Sequence, residues 1–124
     1  MNCPFCKHNS VVLENELAYA KMDEYPVSPG HMLIISKRHI SDWFSLTEEE
    51  TTAILELLNI AKQHLESVYH PDGFNIGINC GEAAGQTIFH VHVHLIPRYH
   101  GDVKNPRGGV RGVIANKQNY PEPK

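Results

Sequence analysis

No apolar run in this 124-residue chain is long enough to cross a bilayer, and no charged-then-apolar leader opens it. Both point to a soluble, cytoplasmic protein with no membrane partner. Cysteine is scarce, and its three residues, an odd number, argue against a disulfide framework. There is no surplus of basic charge either: the net charge of −3 disfavours a general nucleic-acid binder. Nothing repeats internally and no segment is low in complexity. The length suits one domain with a real core and is too short for two, so a single domain over residues 1–124 is expected.

Against these absences stands a concentration of histidine. In His90-Val91-His92-Val93-His94-Leu95-Ile96, imidazoles alternate with apolar side chains. On an extended strand this puts His90, His92 and His94 on one face and Val91, Val93 and Leu95 on the other, toward a core. Burial of the valines fixes the register, because a one-residue slip would exchange the two faces. His90 and His94 would lie about 13 Å apart along such a strand, too far to share one metal ion. The three imidazoles should therefore divide their labour, leaving at least one free for chemistry.

The flanking sequence indicates which chemistry. Gly81-Glu82-Ala83-Ala84-Gly85-Gln86-Thr87 is a loop of small residues that can bring backbone N–H groups and the Gln86 and Thr87 side chains to an anion. A neutral imidazole attacks phosphorus without an activated hydroxyl, and at an ordinary pKa near 6.5 His92 is about three-quarters neutral at pH 7. At the amino end, within residues 1–8, Cys3-Pro4-Phe5-Cys6 reads as half of a zinc knuckle lacking two ligands, which should be histidines; a pair of reduced, unligated thiols is the alternative. Cys80 reads as an ordinary loop thiol. Residues 98–124 form an irregular basic tail, with Arg98, Lys104, Arg107, Arg111, Lys117 and Lys124 against Asp102 and Glu122. The tail could help to hold a polyphosphate or could be a solvated arm.

The remaining pattern is mixed. Val11-Val12-Leu13 and Leu17-Ala18-Tyr19-Ala20 predict two strands turning at Glu14-Asn15-Glu16. An extended Pro26-to-Gly30 loop leads to a buried strand from His31 to Ser36. Ile40-Ser41-Asp42-Trp43-Phe44 predicts a short helix or turn with its aromatics on the core. Thr47-Glu48-Glu49-Glu50 is a capping box, and Ile54, Leu57, Leu58, Ala61, Leu65 and Val68 extend a helical stripe to Tyr69. Ala53 and Ile60 widen the apolar face and Leu55 lies off it, which hints at a subunit contact or a merely generous core. Phe74 to Asn79 predicts a strand antiparallel to the histidine strand.

The histidine row, Gly85-Gln86-Thr87 before it, and Pro26-Val27-Ser28-Pro29-Gly30-His31 through Arg38-His39 together resemble the histidine triad (HIT) nucleotide hydrolases and transferases. The resemblance implies an α+β HIT-like fold: a mostly antiparallel five-stranded sheet with one main helix and a short second helix, in a homodimer. It implies a purine nucleotide, adenine or guanine, as ligand, and no organic cofactor. It implies hydrolysis of dinucleoside polyphosphates or nucleoside phosphoramidates through a nucleotidyl bond to His92. His94, Gln86 and Thr87 would stabilise phosphoryl charge, Asn79 would contact the phosphate, Asp23 the ribose, and His31 would lie beside them; Asp23 also reads as a simple turn residue. Some bacterial members carry Cys-x-x-Cys with two later histidines, so the resemblance implies structural zinc on Cys3, Cys6, His39 and His90. A nucleotidyl transferase or phosphorylase, or a nucleotide-binding regulator with incidental turnover, remain alternatives.

Overall fold

The computed structural model describes residues 2–120; Glu122 and Lys124 of the basic tail lie outside them. Five antiparallel strands form one sheet: β1 (Leu13–Glu14), β2 (Ala18–Met22), β3 (Met32–Ser36), β4 (Gly73–Gly77) and β5 (His92–Arg98), in the order β1-β2-β3-β5-β4. One helix, α1 (Glu48–Tyr69), packs across the sheet. The expected short second helix is a single 3-10 turn, Trp43–Ser45, capped by Asp42. Trp43 packs on the core there, but Phe44 is 80% exposed, contrary to the expectation for both aromatics. Among the described residues no helix is long and apolar enough to cross a membrane.

Register explains how the sheet presents two unlike faces. Ala20 pairs with Ile34 and Ile34 with Val93, while Met32 pairs with Leu95. These side chains, with Ile54, Leu57, Ala61 and Leu65 of α1, form the main core. On the opposite face Tyr19, Ile35 and His92 make one cross-strand row, and Lys21, Leu33, His94 and Gly77 make the next. The helix covers the first face, and the amino-terminal segment covers part of the second through Cys3 and Phe5. Val68 is 54% exposed, so the helical stripe ends at Leu65.

Local chemistry closes each junction. Asn15 Oδ1 accepts N–H groups from Leu17 and Ala18, making the turn between β1 and β2, while its Nδ2 donates to the Ala53 carbonyl of α1. The first strand is shorter than expected because its ladder starts at Leu13, leaving Val11 and Val12 before it, although it runs one residue further, to Glu14. Gly30, at φ +88°, makes the turn into β3; a Cβ there would meet the Tyr69 ring at 3.0 Å and Pro97 at 3.2 Å. The capping box of α1 is complete, and buried Glu50 also receives a forked pair from Arg38 at 2.7 and 2.9 Å. The Arg38 guanidinium holds the Glu50 carboxyl down at about 2.

Because that value lies below the unfolded one, the Glu50 contribution is fully present above about pH 4.3 and is lost as pH falls through about 2. Glu50→Gln should destabilise the protein by roughly 1–3 kcal/mol at pH 7 in urea unfolding, and the difference from wild type should shrink toward pH 2. A constant difference across that range would rule out the ionised cap.

Candidate active site and metal cluster

The histidine row does divide. The ladder of β5 begins at His92, so His90 precedes the regular strand, and its ring is fully buried. His90 Nε2 donates to the Ser36 carbonyl at 2.6 Å, because a carbonyl can only accept. Its Nδ1 therefore carries a lone pair, directed at Cys3 Sγ (3.3 Å), Cys6 Sγ (3.6 Å) and His39 Nδ1 (3.2 Å). Cys6 Sγ lies 3.1 Å from His39 Nδ1. Bond lengths near 2.3 Å to sulfur and 2.0–2.1 Å to nitrogen put tetrahedral ligand atoms roughly 3.3–3.8 Å apart. The four side chains lie close to that spacing, and the His90–Ser36 bond is the outer-shell partner such a ligand needs. The set Cys3, Cys6, His39 and His90 thus fits zinc in both donor type and geometry.

His92 points its Nδ1–H back to the His90 carbonyl at 2.8 Å. The tautomer is thereby fixed and Nε2 holds the lone pair. Phe5, between the two cysteines, packs edge-on against His92 with centroids 4.9 Å apart. Burial pushes the His92 pKa below its ordinary value, with the His90 carbonyl and Asp23 opposing. The side chain is thus held neutral.

His94 belongs to a different group. The Val27 N–H donates to His31 Nδ1 at 3.2 Å, so a neutral His31 carries its proton on Nε2. That proton is directed at His94 Nδ1, 3.0 Å away, with Asp23 Oδ2 at 3.4 Å from the same nitrogen. His94 Nδ1 is then an acceptor, and its own proton sits on Nε2. Asp23, His31 and His94 are close enough to resemble a metal site. A cation there would have to strip His31 of the Nε2 proton while the backbone still donates to Nδ1, leaving an imidazolate. The trio is a hydrogen-bond relay. Burial lowers the pKa of His94, reinforced by the His92 and His31 rings and opposed by Asp23. Burial also lowers that of His31.

The loop residues are placed less directly. Gln86 is buried, and its amide is spent on the loop: Oε1 accepts from Gly81 N–H at 2.8 Å, and Nε2 donates to the Ser41 and Ile88 carbonyls. Both Nε2 protons are used, so the expected donation from this side chain to a phosphoryl oxygen is not available in this arrangement. Thr87 is exposed and lines a cavity of about 380 Å³ with Cys3, His39 and Phe89, on the knuckle side. Asn79 lies half-buried two residues beyond Gly77, the residue paired with His94. Two larger cavities differ in how much acidic charge lines them. One of about 570 Å³ is ringed by Glu16, Glu48, Glu49 and Glu56, which repel an anion; one of about 560 Å³ opens beside the single carboxylate of Asp23.

Sequence reasoning missed Phe5, Ser36 and the amino-terminal cover. His8 lies over the Tyr19 ring, and Asn9 Oδ1 accepts from the buried Lys21 ammonium at 3.1 Å. The position of Phe5 inside Cys-x-x-Cys was a signal: closing the knuckle on His90 carries whatever lies between the cysteines onto the neighbouring strand.

Comparison with known proteins agrees with this geometry. The family model described as HIT domain matches residues 6–101. AP-4-A phosphorylase of Mycobacterium tuberculosis strain H37Rv is 37% identical over 93 residues, 74% of this chain and 48% of that protein. The asymmetrical bis(5'-nucleosyl)-tetraphosphatase of Schizosaccharomyces pombe is 37% identical over 94 residues, 76% of this chain and 52% of that protein. The chain thus spans about half the length of these two relatives. A HIT family protein from Bacillus anthracis superposes with a TM-score of 0.76 at 41% identity, covering 82% of this chain and 76% of that one. A zinc-bound histidine triad family protein from Mycobacterium smegmatis gives 0.76 at 32% identity, covering 85% and 81%. Sheet, helix, histidine row and family model agree: the fold is the α+β HIT fold, and the chain belongs to the HIT family.

Proposed function

We propose that the chain hydrolyses nucleoside phosphate bonds through a nucleotidyl bond to His92, with dinucleoside polyphosphates such as diadenosine tetraphosphate as favoured substrates. The observation that carries this reading is the Nδ1–H bond from His92 to the His90 carbonyl, which leaves Nε2 unprotonated. That lone pair attacks the α-phosphorus. The phosphorus–oxygen bond to the leaving group breaks and its electron pair goes to oxygen; His94, protonated on both nitrogens in the complex with the anionic substrate and with Asp23 beside its Nδ1, gives up the Nε2 proton and is left neutral. Water then attacks the same phosphorus, His94 Nε2 takes a water proton, and the phosphorus–nitrogen bond returns its pair to His92. Asp23 and His31 position His94; the backbone around residues 81–87, with Thr87 and Asn79, receives the phosphoryl charge. Gln86 acts by holding that loop.

Cys3, Cys6, His39 and His90 would hold zinc, which would supply a structural crosslink. His90 sets the nucleophile through its backbone carbonyl, with no proton transfer. The odd count of three cysteines favours a cytoplasmic setting, and exposed Leu55 and Ile60 on α1 support a homodimer. The name of the mycobacterial relative favours one second reading, phosphorolysis, in which inorganic phosphate replaces water.

Incubation with labelled diadenosine tetraphosphate should release AMP and ATP; with added phosphate, a nucleoside diphosphate in place of AMP would identify the phosphorylase instead. His92→Ala should lower turnover more than about a thousandfold and His94→Ala by about 10²–10⁴-fold, whereas undiminished turnover by His92→Ala excludes the mechanism. Since burial lowers the His92 pKa, activity should persist as pH falls below about 6.5. An acid limb of kcat/KM above that value would contradict a neutral, buried nucleophile. Elemental analysis should find zinc in the wild type and not in Cys6→Ser, whose melting temperature should fall by roughly 4 °C or more. Zinc retained by Cys6→Ser would remove this residue from the ligand set.

A further inference from the structure

Two of the four residues in the metal cluster carry sulfur, and both belong to one turn. The Cys6 N–H donates to the Cys3 carbonyl at 3.2 Å, with Pro4 and Phe5 between them. Residues so placed have Cα atoms within about 7 Å, and disulfides span Cα separations of about 4.4–6.8 Å. The two sulfurs lie within 4.8 Å of each other. Both are directed at one atom, His90 Nδ1, from 3.3 and 3.6 Å. Rotation of two side chains joins them without a new path for the backbone. Their access to solvent is unequal: Cys6 is exposed, whereas Cys3 is only 8% exposed. Cys80, the third thiol, is not part of the cluster.

The same two sulfurs tie down the amino-terminal cover. They hold it to His39 and to His90, just ahead of β5. Three weaker ties hold the rest. The Tyr19 hydroxyl donates to the Phe5 carbonyl, His8 Nε2 donates to the Lys37 carbonyl at 3.2 Å, and the Lys21 ammonium donates to Asn9. His8 and Ser10 are in the left-handed region, at φ +48° and +56°. A residue with a Cβ keeps that conformation only while its surroundings impose it. The cover is thus a strained segment whose firmest anchor is a pair of oxidisable atoms.

Resting on the reading of Cys3, Cys6, His39 and His90 as zinc ligands, we propose that the two cysteines are also an oxidation site: hydrogen peroxide joins them in a disulfide, the metal leaves, and the cover loosens over His92. Ligation holds both sulfurs as thiolates, the form that peroxide oxidises. The exposed Cys6 thiolate attacks one peroxide oxygen; the oxygen–oxygen bond breaks, hydroxide departs, and Cys6 becomes a sulfenic acid. The Cys3 thiolate then attacks the Cys6 sulfur, the sulfur–oxygen bond breaks, and a second hydroxide departs. Two electrons pass from sulfur to peroxide, and two protons convert the hydroxides to water. His39 and His90 alone supply two of the four donors that a structural zinc site needs, so the ion is released.

The test uses zinc-loaded Cys80→Ser, whose only thiols are Cys3 and Cys6, treated with hydrogen peroxide beside a chromogenic zinc chelator. The chain should lose two hydrogen atoms by mass and release about one zinc ion, and dithiothreitol with added zinc should restore both. Dimedone present during oxidation should label Cys6. Trypsin cleavage after exposed Lys7 should run about tenfold faster or more in the oxidised chain, and the released peptide should contain the disulfide. Thiols that stay open to alkylation, or that pass to sulfinic acid without joining, overturn the proposal. So do a dimedone label on Cys3, zinc retained by the joined pair, and cleavage after Lys7 that does not change. Should the untreated chain hold no zinc, the metal reading fails, while mass and cleavage still decide the disulfide.

Discussion

The hydrogen bond from His92 Nδ1 to the carbonyl of His90 governs the rest of the site. It couples two residues of one strand that have opposite tasks. The His90 ring is committed to a cysteine and histidine cluster, and its backbone oxygen decides which nitrogen of His92 can react. Anything that fixes the His90 ring, such as the Ser36 carbonyl on Nε2 or the thiols on Nδ1, also fixes the peptide that orients His92. The cysteine and histidine cluster and the proposed nucleophile meet in a backbone atom. Under the proposed mechanism, a filled cluster would thus matter to a reaction in which it takes no part.

The amino-terminal segment is the second consequence of that arrangement. Pinned at Cys3 and Cys6, it crosses the histidine-bearing face, laying Phe5 on His92 and His8 on Tyr19. The Tyr19 hydroxyl donates to the Phe5 carbonyl, which ties the cover down at its middle. A face that would otherwise expose Leu33 and Ile35 to water becomes a small second core. Phe5, on the segment that carries the cysteines, packs on the ring whose burial lowers the His92 pKa.

Where one local rule applied, the sequence was readable. Alternation over residues 90–95 gave the two faces of β5, and the capping box placed the start of α1. The gathering of Cys3, Cys6, His39 and His90 became legible through resemblance, because nothing local in Cys3-Pro4-Phe5-Cys6 names His39 or His90 as partners; the contact of Asp23 with His31 was not read at all. Long-range satisfaction of polar groups was illegible. Gln86 looked like an anion contact, but its amide closes the loop through Gly81, Ser41 and Ile88, partners up to 45 positions away. Phe44 and Val68 were read as core because hydrophobic type was taken for burial, yet both lie where the turn or helix has already left the sheet. The tail looked irregular because its order comes from Gln118 and from stacking of arginine on Tyr120, and neither has a period.

Burial and reactivity at this site act in the same direction until a phosphate arrives. A neutral imidazole is the less costly species to bury, and it is also the species that attacks phosphorus, so desolvation of His92 serves both stability and nucleophilicity. In the proposed reaction His94 has the opposite need, since it would give up a proton. In the free protein its pKa is lowered by burial and by the His92 and His31 rings. An anionic phosphate on the same face reverses the balance, because negative charge nearby favours the protonated ring. Asp23, close to both His31 and His94, already acts in that sense. A group tuned as a poor proton holder before binding is thereby retuned by the charge of what binds. The unequal environments of two imidazoles on one strand, one under Phe5 and one beside Asp23 and His31, are what would let a single row of histidines supply both nucleophile and acid in the proposed reaction.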